Sequence, residues 1–249
     1  MRNNLNLHLA AKKLFACDFT QIVKSCEASL DDLELDDFFQ LRPVAYIESG
    51  IGYIHIQELL TDDIPPAFEK AGLATTYSTI RKEIEDLLYG GAQALQFSIN
   101  SGGGSVNGAI ELSRFIASLN VPTAAVVTSC ACSAAYMLAS ATDRIYITET
   151  AQIGNIGTIM KWTDWTGFDQ RMGLQDKAIV NEGATLKSTF HLEPNAEQLA
   201  FLQETANQHG ETFKQFVSEQ RPQIDAEVFK AGWYSGRKAI DLGLADEIF

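Results

Sequence analysis

A chain of 249 residues with 46% apolar and 20% charged positions has the size and composition of a folded α/β domain with a sizeable core and a small appendage, which excludes a wholly disordered protein. Its 19 lysines and arginines stand against 32 aspartates and glutamates, a net charge of −13 whose field repels phosphate backbones and anionic lipid. Nucleic acid is not an expected partner.

Residues 1–42 read as an accessory leader, separate from the domain expected over 43–249. An amphipathic stretch from Leu5 to Val23 precedes the acidic run Asp31 to Asp37, which fits either a solvated surface segment or an arm that guards the site or mediates assembly. Leu14-Phe15-Ala16-Cys17 has the outline of a lipoprotein cleavage box, but Lys12 and Lys13 stand where an apolar region is required. From Pro43 the pattern changes: Val44–Ile47 and Tyr53–Ile56 read as two strands of a hairpin joined at Gly50-Ile51-Gly52. Thr76 to Leu88 has helical spacing of Ile80, Ile84, Leu87 and Leu88. A strand over 94–99, a helix over 107–119, a strand over 123–127, a helix over 132–141 and a strand over 144–147 follow. The charge-free run from Phe115 to Thr142 exceeds the ~20 residues that span a bilayer, but Asn120 and Pro122 break it, and its serines, threonines and alanines suit a buried strand and helix; no stable membrane span is expected. One long helix is expected over 195–220, with Leu199, Leu202, Phe213, Phe216 and Val217 on its apolar face, then short helices around Ala226 and Arg237. Strand–helix alternation of this kind builds a parallel sheet with right-handed crossovers, whose chemistry gathers at the carboxyl ends of the strands.

The four cysteines, Cys17, Cys26, Cys130 and Cys132, form no disulfide framework, which points to a reducing compartment. Cys130 and Cys132 find no histidine at zinc-ligand spacing, so neither a metal nor a cofactor is expected. Three segments could carry chemistry. Asn100 to Val106, with Gly102, Gly103 and Gly104, lies between a strand and a helix, either as a tight turn or as a backbone N–H site for an oxyanion. Its glycine spacing is not that of a dinucleotide fingerprint. In Ser129 to Tyr136, Ser133 at a helix start serves as a cap or as a nucleophile. A serine nucleophile needs a base, and none of His8, His55, His191 and His209 lies in a segment tied to Ser133. A lysine fills that role where burial favours its neutral amine, and Gly183 to Ser188 supplies Lys187.

In this order the segments resemble the signal peptide peptidase A family of serine proteases (family S49), which shares the Clp protease/crotonase-like fold. The resemblance runs from about Pro43 to Phe249. Ser101 to Val106 is similar to the family's Ser-Pro-Gly-Gly turn, Ser133-Ala134-Ala135-Tyr136 to its nucleophile segment, Ala151 to Gly157 to its Gly-Ser-Ile-Gly turn, Gly183 to Lys187 to its glycine-to-lysine segment, and Gly243 to Ile248 to its Gly-Leu-Val-Asp ending. The resemblance implies an α/β fold with a parallel-sheet core, crossover helices and a C-terminal helical segment. It implies Ser133 as nucleophile and Lys187 as general base. The oxyanion donors would be the N–H of Ala134 and of Gly103 or Gly104. Asn155 stands where the family has a hydroxyl residue that orients the lysine, and its carbonyl is able to accept from Lys187.

The family's single-domain members form rings, so a homo-oligomer is implied, with serine and lysine able to come from neighbouring subunits. Without a signal peptide or membrane anchor the sequence looks closer to phage and prophage head proteases, which act on scaffold and capsid proteins in the host cytoplasm or virion. The sequence stops at Phe249, just past Gly-Leu-Ala-Asp, which leaves any scaffold segment as a separate protein or outside this sequence. The reading is thus a Ser-Lys serine endopeptidase acting on protein or peptide substrates. Its rivals are a crotonase-type acyl-CoA hydratase or isomerase, which needs a carboxylate acid/base, and an inactive structural ring or capsid component.

Overall fold

In the computed structural model, which describes residues 43–70, 72–174, 177–187 and 193–249, the hairpin is present. Residues 1–42, and with them the expected leader, lie outside the described residues. Strand β1 (Tyr46–Glu48) pairs antiparallel with β2 (Ile51–Thr61), and Tyr46 stacks on Tyr53 with ring centroids 4.9 Å apart. The turn falls at Ser49-Gly50, with φ of 50° and 82°, one residue earlier than expected. The pair of positive φ values matches the right-handed twist of the two strands. β2 also runs on past Ile56, with an irregularity between Gln57 and Leu59 where Glu58 takes a φ of 56°.

Helix α1 (Pro66–Lys70) and strand β3 (Ala74–Thr76) carry no sequence pattern of their own, and β3 is held by parallel pairing with β2. Thr76 then caps α2 (Tyr77–Tyr89). Its hydroxyl accepts from the Thr79 N–H at 3.1 Å, and Tyr77, Ile80, Ile84 and Leu87 form the buried stripe. Strand β4 (Ala94–Gly104), helix α3 (Ala109–Ala117), strand β5 (Thr123–Cys132), helix α4 (Ala134–Ser140) and strand β6 (Arg144–Ile147) realise the predicted alternation. Every residue of α4 is buried, which explains the charge-free, alanine-rich stretch. Among the described residues no helix is long and apolar enough to cross a membrane.

The strands run in the order β1-β2-β4-β5-β6-β9, where β9 is Glu247–Ile248. Pairing is parallel from β2 to β9 along this path, and β7 (Gln152–Gly154) adds to β5 in parallel and to β8 (Trp233–Ser235) antiparallel. This is the mostly parallel α/β architecture expected, with its carboxyl ends at Gly104 of β4 and Cys132 of β5.

The described chain divides into two compact units: residues 43–158 with 209–249, which hold the sheet, and residues 159–208. The second unit contains α5 (Thr166–Arg171) and the start of α6 (Ala196–Gln220). Asn195 opens α6 with a reciprocal cap, its side chain accepting from the Gln198 N–H at 2.9 Å while Gln198 accepts from the Asn195 N–H at 3.0 Å. Phe213, Phe216 and Val217 are the buried residues of α6, all in the part that belongs to the sheet unit, whereas Leu199, expected on the same apolar face, is 41% exposed. A 3₁₀ turn (Ala226–Lys230) and helix α7 (Gly236–Asp241) match the short helices expected near Ala226 and Arg237.

The last motif of the chain is tied inward. Arg221, 4% exposed, forks onto Asp246 at 3.0 and 2.9 Å, and Asp246 also accepts from the Ile145 N–H at 2.7 Å. Tyr136 of α4 donates its buried hydroxyl to the Leu244 carbonyl at 3.2 Å, so the Gly-Leu-Ala-Asp segment is fixed to both β6 and α4.

Candidate active site

Two strand ends build the site. The glycine segment is not a turn at a helix start: Gly102 to Gly104 continue β4, with Gly103 and Gly104 in register with Leu59 and Leu60 of β2, and α3 begins only at Ala109. The backbone there has neighbours on both sides. A Cβ on Gly104 would sit 1.8 Å from the Leu60 carbonyl oxygen. Gly103 has a φ of 101°, and a Cβ on it would lie 2.7 Å from the Cys132 oxygen, 2.8 Å from Ser133 Cβ and 3.0 Å from the Ala134 nitrogen. Only glycine fits such a conformation and such an approach. Ser101, 1% exposed, locks the bend: its hydroxyl donates to the Glu58 carbonyl and accepts from the Gly103 N–H at 3.1 Å.

Across this gap β5 ends and α4 begins. Ser133 occupies the junction at φ 55° and ψ −127°, a region L-residues rarely visit and one that costs of order 1–3 kcal/mol. Two main-chain bonds hold it there, from the Ser133 N–H to the Gly154 carbonyl at 2.9 Å and from the Met137 N–H to the Ser133 carbonyl at 3.0 Å. The hydroxyl does not cap α4, so the reading of Ser133 as a mere helix cap fails. The residue is half-buried on the lining of a shallow cleft of about 50 Å³, and Ala134, first in the helix, presents a backbone N–H with no partner inside its own helix.

The two neighbouring cysteines are set apart from this chemistry. Burial and the adjacent Cys130 push the Cys132 thiol up to about 11, and burial and Glu58 raise that of Cys130, so neither is a ready thiolate. Cys132 lies against the Gln152 carbonyl and Cys130 against Asn100 Oδ1. Asn155, at φ 53°, donates its N–H to the Gly232 carbonyl at 2.8 Å and its Nδ2 to the Ala231 carbonyl at 2.9 Å. That amide orientation turns Nδ2, not Oδ1, toward the 231–232 corner.

Ser133, Ala134, Gly103, Gly104 and Asn155 thus fall in the sheet unit, whereas Lys187 belongs to the unit of residues 159–208. There Gly183 takes a φ of 81°, the Lys187 N–H donates to the Ala184 carbonyl at 3.1 Å, and the Lys187 carbonyl accepts from Gln198 Nε2 at 3.2 Å. The side chain is exposed rather than buried, because the segment is a surface loop held to α6 by the Thr185 and Lys187 carbonyls, which accept from Gln198 Nε2, and by the Thr185 hydroxyl, which donates to Glu197. Two contributors escaped the sequence reading. Ser101 fixes the glycine bend, and His209 shares the lining of the Ser133 cleft although no sequence segment tied it there. Its position four residues before the buried Phe213, on the same helix face, was the available signal.

Much of the chain is similar to known proteins. Residues 117–249, more than half of the chain and including Ser133 and Lys187, match the sequence model of Peptidase family S49. The capsid assembly protease C of Escherichia phage lambda is 31% identical over 155 residues, covering 59% of this chain and 34% of its own length. The head-tail preconnector protein GP5 of Enterobacteria phage P21 is also 31% identical over 155 residues, covering 60% of this chain and 31% of that protein. The protein named Probable protease SohB of Haemophilus influenzae is 29% identical over 185 residues, covering 70% of this chain and 51% of its own. The chain therefore spans between about a third and a half of the length of these relatives. The strained serine at the strand-to-helix junction, the glycine bend against it and the matched family model lead to one assignment: the chain belongs to peptidase family S49.

Proposed function

We propose that the chain is a serine endopeptidase working through a Ser133–Lys187 dyad. The observation that carries this reading is Ser133 itself, held at positive φ with its hydroxyl released from capping and the Gly103–Gly104 backbone against it. The Ser133 oxygen attacks the peptide carbonyl carbon while the neutral Lys187 amine takes its proton. The resulting oxyanion is met by the N–H of Ala134 and of the glycine bend, where Gly104 is the better donor because Ser101 already accepts from Gly103. Collapse expels the amine product, which takes the proton from Lys187, and a water activated by the same lysine hydrolyses the acyl-enzyme. Asn155 orients the lysine through its Oδ1. Because Lys187 is exposed in the single chain, its desolvation is assigned to bound substrate or a neighbouring copy in a homo-oligomeric ring.

The substrate is an extended protein segment. The name of the phage lambda relative, a capsid assembly protease, favours a capsid protein, and the resemblance to phage head proteases extends this to scaffold proteins met in the host cytoplasm or the virion. A fluorophosphonate probe separates this reading from its rivals. It should label the protein at Ser133 with 1:1 stoichiometry, read by intact mass and peptide mapping. A crotonase-type hydratase or an inert structural ring has no nucleophilic serine, so absence of labelling on folded protein rejects the peptidase.

A further inference from the structure

The cleft beside Ser133 has a floor and a rim of different chemistry. Its floor is apolar and buried, formed by Ala109, Met137 and Phe213. Its rim carries polar groups of α6, half-buried His209 and exposed Thr212, the first a full turn before Phe213 and on the same face of the helix. The cavity volume is about 50 Å³. One water needs ~10–15 Å³ on that scale, so the space takes only a few heavy atoms.

Resting on the peptidase reading above, we propose that His209 determines specificity on the acyl side of the scissile bond: it limits that side chain to a few heavy atoms and favours one whose tip forms a hydrogen bond. Threonine then enters better than its isostere valine, and alanine better than leucine. A polar residue on an otherwise inward apolar face has this consequence because a hydrogen-bonding partner satisfies it, while an apolar group of equal shape leaves it desolvated and unpaired.

The test uses four internally quenched peptides that differ only in the residue before the cleaved bond, Ala, Thr, Val or Leu. Rates are normalised to the fraction of full-length chain titrated by a fluorophosphonate. In His209→Ala the cleft opens, and the Leu-to-Ala ratio of kcat/KM should rise about tenfold or more, the scale on which pockets discriminate added methylenes. His209→Leu keeps the bulk and removes the hydrogen bond, so the Thr-to-Val ratio should fall by about threefold to tenfold. Thermal melts show which variants fold, and either variant alone is sufficient to decide its own ratio. Both ratios within twofold of wild type overturn the specificity role and leave the peptidase reading intact. Loss of all cleavage in folded, labelled variants also overturns it, since His209 would then act in the chemistry. If the wild-type protein neither labels nor cleaves, the peptidase reading fails and the specificity role falls with it.

Discussion

Ser133→Ala should lower kcat by about 10⁶-fold, the scale on which loss of a serine nucleophile acts, or about 8 kcal/mol of barrier at 1.36 kcal/mol per tenfold. The remaining activity would come from the oxyanion donors and binding alone. Lys187→Ala should be nearly as severe, and Lys187→Arg should not restore it, because a guanidinium stays protonated and cannot accept the serine proton. Cys132→Ala is the control: a thiol raised to about 11 and packed against the Gln152 carbonyl contributes no nucleophile, so most activity should remain. Rates of acylation by a fluorophosphonate and cleavage of a quenched peptide read all four variants. Wild-type acylation in Lys187→Ala would sink the dyad, and activity kept in Ser133→Ala but lost in Cys132→Ala would move the nucleophile one residue back. Mixing the inactive Ser133→Ala and Lys187→Ala proteins tests whether the two groups come from different copies, since mixed oligomers would then recover cleavage.

The second large effect is on stability. Arg221→Ala should destabilise the fold by about 3 kcal/mol, because it removes a buried guanidinium and strands the half-buried carboxylate it held. Asp246 is 16% exposed at its side chain and holds three hydrogen bonds, two from Arg221 and one from the Ile145 N–H. Burial alone would raise the Asp246 carboxyl, but the Arg221 hydrogen bond, the Ile145 N–H and the charges of Arg221 and Arg144 outweigh it and hold it below the usual carboxylate range. A depressed folded-state value contributes stability that is fully present above the unfolded value of ~3.9 and is lost as pH falls through the folded one. Wild-type melts should therefore show an acid-labile component below about pH 4 that Asp246→Asn lacks. The pair Arg221→Met with Asp246→Leu should recover only part of the loss, since the Ile145 N–H would still lack its acceptor, a cost of about 1–3 kcal/mol. Chemical denaturation of the single and double variants measures this; full recovery would show the Ile145 bond to be unimportant.

Much of the core was legible from periodicity. The stripe Ile80, Ile84, Leu87 and the strands at 94–99 and 123–127 lie where apolar spacing put them, because burial of one face selects those spacings directly. The extension of β4 through Gly104 was not legible, since a strand whose last residues lack side chains has no alternation to read, and it is the Leu59–Leu60 register that makes it a strand. β7, β8 and β9 are two or three residues long and exist by pairing with distant segments, so no local pattern announces them. At the candidate site, Ser133 was singled out by type and order, but its released hydroxyl depends on a backbone angle. Ser101 and His209 depend on contacts across 43 residues to Glu58 and between α6 and the Ser133 cleft, which single-sequence reading does not supply.

With Ser133 as the proposed nucleophile, its positive φ sets catalysis against durability. Glycine takes that backbone angle without steric conflict, whereas alanine keeps it. Ser133→Gly should accordingly melt above Ser133→Ala, by ~2–4 °C for each kcal/mol of strain relieved in a domain of this size. On the proposed mechanism the fold is at its most robust when it cannot cut. A descendant of this chain released from its substrate would be expected to drift to glycine at position 133 and keep its architecture, so a glycine there in a related sequence would mark a lineage that has retained the shape and abandoned the reaction.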